Sequence, residues 1–256
     1  MLENNPQSEL EIHAQEIVRQ TGFIPQSSLQ FGTWYDGSPR SLVYAGTFQG
    51  QSAVLKVYNE PRAVNQPENL LLFAKSHTSA RMHVPALYGS ALESPQAGWM
   101  IMEFVPQQAT VFQSPIQAAE RATFLQAFFE YRSHFSVSPL QSRDSLDPQY
   151  TKPDGGLISS SEFHVTRIHR WRALALATNT QHVNDGQASL LSEELMGAAD
   201  RALRLIEKRF LHEPLYWCHG HFKPNEIHID QATGNFWITD FGHMTLFPRG
   251  YEFAFM

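Results

Sequence analysis

Near the end of the chain, His219-Gly220-His221-Phe222-Lys223-Pro224-Asn225-Glu226 gathers two imidazoles, an ammonium, an amide and a carboxylate, and Asp240-Phe241-Gly242 follows after a second apolar run. Each group has a distinct chemistry available. A neutral imidazole, with an ordinary pKa of about 6.5, accepts protons near neutral pH. The oxygens of Glu226, Asn225 and Asp240 are hard ligands of the kind a magnesium ion takes. Far upstream, Lys56 sits inside the apolar run Val54-Leu55-Lys56-Val57-Tyr58. A lysine there either reaches solvent at a sheet edge or meets an anion, because it is rarely buried unpaired.

These residues need elements to position them. Trp217-Cys218 and Phe236-Trp237-Ile238 are apolar runs ending in polar clusters, which suggests a β-hairpin holding a catalytic or metal-binding loop. Upstream, an amphipathic pattern over 8–22 predicts a short helix with Leu10, Ile12, Ile17 and Val18 on one side and Gly22 at its end. Strands follow at Leu29–Tyr35, Ser41–Phe48 and Ser52–Tyr58, a meander. Its first turn contains Gly37 and Ser38, which with Ser41 could offer donors to a phosphate. An ordinary hairpin turn requires the same residue types. Gln66–His77 reads as a helix; its Glu68 either pairs with Lys56 or simply suits the helix N-terminus.

Val84–Leu92 and Gly98–Val105 complete a five-stranded antiparallel sheet, closed by Pro106. A helix spans Ser114–Phe135, with Ser114 and Pro115 suited to its cap and first turn, and Ile116, Ala119, Phe124, Leu125, Phe128 and Phe129 on its apolar side. The Ser, Asp, Pro and Gly of 136–162 read as a long surface loop, a lid or an insertion. Arg167, His169, Arg170 and Arg172 open a helix to Thr178; they could receive an anionic acceptor or form surface ion pairs. Leu190–Phe210 is a further helix, with Leu195, Ala199, Leu203, Ile206 and Phe210 inward.

At 256 residues and 42% hydrophobic, the chain can bury a real core, which excludes wholesale disorder. A net charge of −6 with no basic patch excludes a nucleic-acid partner from the expectation. The single cysteine, Cys218, allows no internal disulfide and no cysteine zinc cluster, and reads as a small buried residue. With no export signal and no spanning apolar run, the expected compartment is the cytoplasm, without membrane attachment.

Taken in order, Lys56, the His219–Glu226 loop and Asp240-Phe241-Gly242 resemble the protein-kinase-like superfamily, and within it the aminoglycoside phosphotransferase and choline kinase branch. That branch's loop reads H-G-D-x-x-x-x-N, and the protein kinases' H-R-D-x-K-P-x-N. The resemblance implies an α+β, two-lobed fold. Its N-terminal lobe, 1–105, would be the five-stranded sheet with one helix, and 106–256 a mainly helical lobe carrying the loop. It further implies ATP and Mg2+ as cofactors, Lys56 on the nucleotide's phosphates, and backbone groups of Glu103 to Val105 at the adenine edge. Asp240 would ligate magnesium, with Glu226 or Asn225 beside it.

The loop departs from the family at two positions. His221 stands where the family has its catalytic aspartate, and Glu226 where it has its metal-binding asparagine, with Asn225 one place early. Glu226 could still hold magnesium; His221 could act as the base while neutral, whereas an imidazolium would repel the cation. Two functions are therefore expected: ATP-dependent phosphoryl transfer to a small-molecule hydroxyl, or a catalytically impaired relative that binds nucleotide or acts as a scaffold. A zinc site among His219, His221, His228 and His243 would need the fold to bring them together. Relatives continue beyond the Asp-Phe-Gly segment with helices that complete the acceptor site. Either the chain is truncated after Met256, or the helices between Ser114 and Phe210 supply that pocket.

Overall fold

The computed structural model describes residues 6–33, 39–59, 66–93, 97–106, 108–112, 116–135, 149–151, 157–189, 191–212, 215–248 and 252. In chain order the elements are α1 (Pro6–Thr21), β1 (Ile24–Thr33), β2 (Pro39–Phe48), β3 (Gln51–Asn59), α2 (Gln66–Ser76), β4 (Met82–His83), β5 (Leu87–Leu92), β6 (Ala97–Glu103) and β7 (Thr110–Val111). Then come α3 (Ala118–His134), β8 (Gln149–Thr151), β9 (Leu157–Ser159), α4 (Ser160–Asn184), α5 (Glu193–His212), β10 (Leu215–Cys218), β11 (Ile227–Ile229), β12 (Phe236–Ile238) and β13 (Thr245–Pro248). The result is the α+β architecture expected, with the antiparallel sheet in order β1-β2-β3-β6-β5.

Alternation along β3 explains that sheet. Ala53, Leu55 and Val57 are buried on one face against Leu42, Ile101 and the Leu10, Ala14 and Ile17 stripe of α1. Lys56, of opposite parity, faces the other way and pairs across to Val43 and Met100. The sheet's central strand thus aims a lysine away from its own apolar core. Ile12, expected inward on α1, is 60% exposed, and Ala14 takes its place. The first strand begins at Ile24 rather than Leu29, because register with β2 continues down to Ile24↔Thr47.

The second core is aromatic: Phe73 of α2, Phe124, Phe128 and Tyr131 of α3, and Phe222, Phe236 and Phe241 around the loop. Each fully buried phenylalanine contributes about 1.5–3 kcal/mol. This core carries a small sheet in order β4-β12-β11-β7, in which β12 pairs parallel with β4. The β11–β12 hairpin closes at Asp230, whose Oδ1 accepts from Ala232 N at 2.9 Å and whose Oδ2 accepts from the Thr233 hydroxyl at 2.8 Å. Gly234 completes that turn at φ 71°.

Several helix bounds differ from the sequence expectation. Helix α3 starts at Ala118 behind Gln117, which makes no side-chain cap bond; Ser114 and Pro115 lie outside the described residues. Phe129, expected on its apolar side, is exposed, and Tyr131 is buried instead. Within 136–162, β8 and β9 pair as a hairpin, and helix α4 has already begun at Ser160; the rest of that segment lies outside the described residues. Helix α4 continues to Asn184, past the expected Thr178, because it packs along α5. Leu195 on α5 is likewise exposed rather than inward. Among the described residues no helix is long and apolar enough to cross a membrane.

Candidate active site

Trp217 and Cys218 end β10, which pairs with β13 rather than with the Phe236–Ile238 strand of the expected hairpin, since β12 is taken by β11 and β4; the β13 pairing brings the loop alongside the residues that follow Asp240. The loop's entry is fixed by buried polar groups. The His219 amide donates to the Tyr131 hydroxyl at 2.8 Å, which in turn donates to Glu252 Oε2 at 2.8 Å. Glu252 Oε1 accepts from Gly220 N at 2.9 Å, and Arg132 reaches Oε2 at 3.2 Å. Burial raises the Glu252 carboxyl above its usual range, against those donors. Burial, with Glu252 nearby, also holds the Tyr131 and Cys218 protons on. Cys218 is therefore a buried thiol, as its sequence context suggested.

His219 is a structural residue. Its ring is fully buried, its Nε2 lies 2.8 Å from the Thr239 carbonyl, and it meets Phe241 edge-on with centroids 5.2 Å apart. Burial lowers its pKa to about 4, so it is neutral and donates Nε2–H to that carbonyl. Thr239 binds the loop from its other side too: its amide and hydroxyl both donate to Glu226 O at 3.0 Å. Loop and hairpin end are thus one hydrogen-bonded unit.

Asp240 sits at φ 58°, ψ 65°, a left-handed conformation that aspartate tolerates better than most residues. The turn after it, Phe241–His243, is held by Asn69 of α2, whose Nδ2 donates to Phe241 O and Met244 O, both at 3.0 Å. That geometry aims Asp240 at β3: Lys56 Nζ lies 3.2 Å from its Oδ1. Glu68, left open between pairing with Lys56 and suiting the helix N-terminus, is exposed in the first turn of α2. One helical step decides this, since Asn69 rather than Glu68 is on the inward face.

The remaining expectations sort as follows. Asn225 is exposed. Glu226 is buried and puts Oε1 2.6 Å from His221 Nδ1. Ser38 lies outside the described residues. At the expected adenine edge, the Glu103 amide donates to Ala86 O and the Phe104 amide to Ser52 O. His169 contacts Glu207, and Arg172 pairs with Asp200 at 2.7 Å, so these two residues of the basic stretch of α4 are engaged by α5. The residues that sequence reasoning missed are Asn69, Tyr131, Arg132 and Glu252. Only tertiary contacts reveal them, although Glu252 within an apolar segment was a signal.

Of the four histidines weighed for zinc, His221 and His243 are brought together beside Asp240. One nitrogen of His221, one of His243 and one Asp240 oxygen lie within 4.8 Å of one another. The two imidazoles are stacked, however, with centroids 3.9 Å apart and planes inclined by 27°. An imidazole's lone pair lies in its ring plane, and two planes so inclined do not meet within a metal–nitrogen bond of about 2 Å. As they stand, the rings do not converge on one ion. His228 is on β11, opposite Trp237, and is no part of the cluster.

The sequence pattern of the phosphotransferase enzyme family matches residues 38–256, from the start of β2 through the loop and beyond β13. The chain belongs to that family. No curated protein sequence matches it significantly. Among solved structures, aminoglycoside-3'-phosphotransferase of type VIII is similar with TM-score 0.56 and 16% identity, over 96% of this chain and 82% of that one. A thermostable mutant of aminoglycoside phosphotransferase APH(4)-Ia, in ternary complex with ADP and hygromycin B, gives 0.54 and 14%, over 94% and 74%. Spectinomycin phosphotransferase APH(9)-Ia, with ADP and spectinomycin, gives 0.51 and 12%, over 99% and 73%. At such identities the likeness establishes the fold, which is the kinase-like one expected, and the family pattern makes the protein a kinase-fold phosphotransferase.

Proposed function

We propose that the protein transfers the γ-phosphoryl group of ATP to a hydroxyl of a small molecule. The observation that carries this reading is the 3.2 Å contact between Lys56 Nζ and Asp240 Oδ1. It joins a phosphate-binding cation from the antiparallel sheet to a cation-binding carboxylate from the loop region. Phosphoryl transfer asks the protein mostly for positioning and charge neutralisation, and a cation and a carboxylate held together supply a group for the phosphates and a group for their metal. The ADP carried by two similar solved structures supports a nucleotide here. The adenine edge would fall to Val105, since the amides of Glu103 and Phe104 are already bonded.

Magnesium fits the donor set in its simplest form. The ion commonly takes one or two carboxylates and completes its shell with phosphates and waters, so Asp240 suffices. When bound it neutralises phosphate charge. Lys56 then binds the phosphates and is held in place by Asp240, while Phe241, packed on Phe73 with centroids 5.1 Å apart, keeps that carboxylate from swinging away. His221 occupies the position of the family's proton-accepting aspartate.

Thermal unfolding with and without ATP and magnesium tests this. A magnesium-dependent rise with ATP, absent in Asp240→Ala, is expected; a hundredfold excess over Kd adds about 2.7 kcal/mol. No shift at millimolar ATP would sink the reading. A shift without any turnover of ATP would instead support a nucleotide-binding relative lacking catalysis.

A further inference from the structure

One face of α2 is given over to the turn that follows Asp240. Gln66, Asn69 and Phe73 stand at the i, i+3 and i+7 positions of the helix, and all three are buried. Phe73 packs on Phe241, with ring centroids 5.1 Å apart. Gln66 lies against Gly242, where an added Cβ would come within 3.3 Å of its Cδ. Between them Asn69, 4% exposed, donates Nδ2–H to Phe241 O and to Met244 O, both at 3.0 Å. Both partners are carbonyl oxygens, which accept, so the NH2 end of the amide faces them with one proton for each.

Those two residues are the ends of the turn. Phe241 O also accepts from Met244 N at 3.2 Å, which closes the turn, and the Asn69 amide braces the same two residues from outside. Asp240 immediately precedes them at φ 58°, ψ 65°, and its carboxylate does not cap the turn. A non-glycine residue keeps a left-handed backbone where its surroundings impose it. A return of Asp240 to the right-handed region would redirect its carboxylate, which stands 3.2 Å from Lys56 Nζ. The fixed start of the turn at Phe241 opposes that return, and Asn69 fixes it.

We propose that Asn69 is a positioning residue of the phosphotransfer site: by bracing Phe241 and Met244 it holds the Asp240 carboxylate ready for the magnesium ion of the nucleotide. The inference rests on the phosphotransfer reading above. Helix α2 then serves the site through the backbone that carries the carboxylate, while Glu68, one residue before Asn69, faces solvent. A carboxylate that is ordered in advance binds its cation more tightly than one that must be ordered on binding, by the cost of the ordering.

Isothermal titration of the full chain with ATP, once with magnesium and once with a chelator, reads this without any turnover. The ratio of the two dissociation constants measures how much the metal adds to nucleotide binding. Asn69→Leu keeps the bulk and removes both donors; it is expected to weaken binding of the magnesium complex about tenfold, the worth of one or two net hydrogen bonds, and to leave metal-free ATP binding unchanged. Leu70→Val, a buried apolar change on the same helix, is expected to lower the melting temperature without moving the ratio. Should Asn69→Leu fail to fold, Asn69→Ala decides by the same ratio. A ratio unchanged in the Asn69 variant overturns the proposal and leaves Asn69 a packing residue. A ratio that falls equally in Leu70→Val overturns it too, since any loosening of α2 would then suffice. A parent that binds both forms of ATP alike removes the metal role of Asp240 and this inference, with nucleotide binding intact. A parent that binds neither form ends the phosphotransfer reading itself.

Discussion

The amide of Gly220 donates to Oε1 of Glu252 at 2.9 Å, across the buried junction between the loop and the segment after β13. The same carboxylate takes the Tyr131 hydroxyl and Arg132, so three donors depend on one acceptor. Glu252→Ala should therefore cost about 3 kcal/mol, since it orphans two buried neutral donors and a half-buried cation. Urea unfolding of the variant against the parent measures it. A loss below about 1 kcal/mol would mean that water replaces the carboxylate.

Gly220 is also constrained by space. It sits at φ 79°, and an added Cβ would lie 2.2 Å from the His243 carbonyl oxygen and 2.7 Å from the Phe247 ring. Gly50 has a similar φ of 81° with nothing within 4 Å. Gly50→Ala should thus carry only the left-handed penalty of about 1–2 kcal/mol. Gly220→Ala adds a backbone collision, and should lower the melting temperature further and displace His221 from His243. Comparison of the two melting curves separates conformational strain from collision.

His219 gives stability a pH dependence of defined sign. Burial lowers its pKa in the fold from 6.5 to about 4. Below pH 6.5 the unfolded chain takes up a proton that the folded chain does not, so folding weakens as pH falls. The contribution is complete above pH 6.5 and is lost progressively toward pH 4. At about 1.36 kcal/mol per pK unit its ceiling is about 3 kcal/mol. Unfolding free energies across that window should slope in the parent and flatten in His219→Gln.

Much of the fold was legible before any coordinates. The strands around Lys56 and the helix at Gln66 announce themselves through local periodicity. Helix ends were less legible: α3 begins without a side-chain cap at Gln117, and α4 runs past Thr178 because α5 supports it. Such ends are set by packing, which no local window contains.

For the site, the sequence by itself determined the cast: Lys56, His221, Glu226 and Asp240, in an order that resembles one superfamily. Only the tertiary structure decided who meets whom. It gave Lys56 to Asp240, 184 residues away, and left Glu68 in solvent. It turned Glu226, the expected magnesium ligand, toward His221. It brought in Asn69, Tyr131, His243 and Glu252, whose roles exist only as contacts between distant segments. The physical reason is that residue types and spacing specify which chemistry a side chain can do. Distance and direction specify which it does, and those are set by the packing of a whole core.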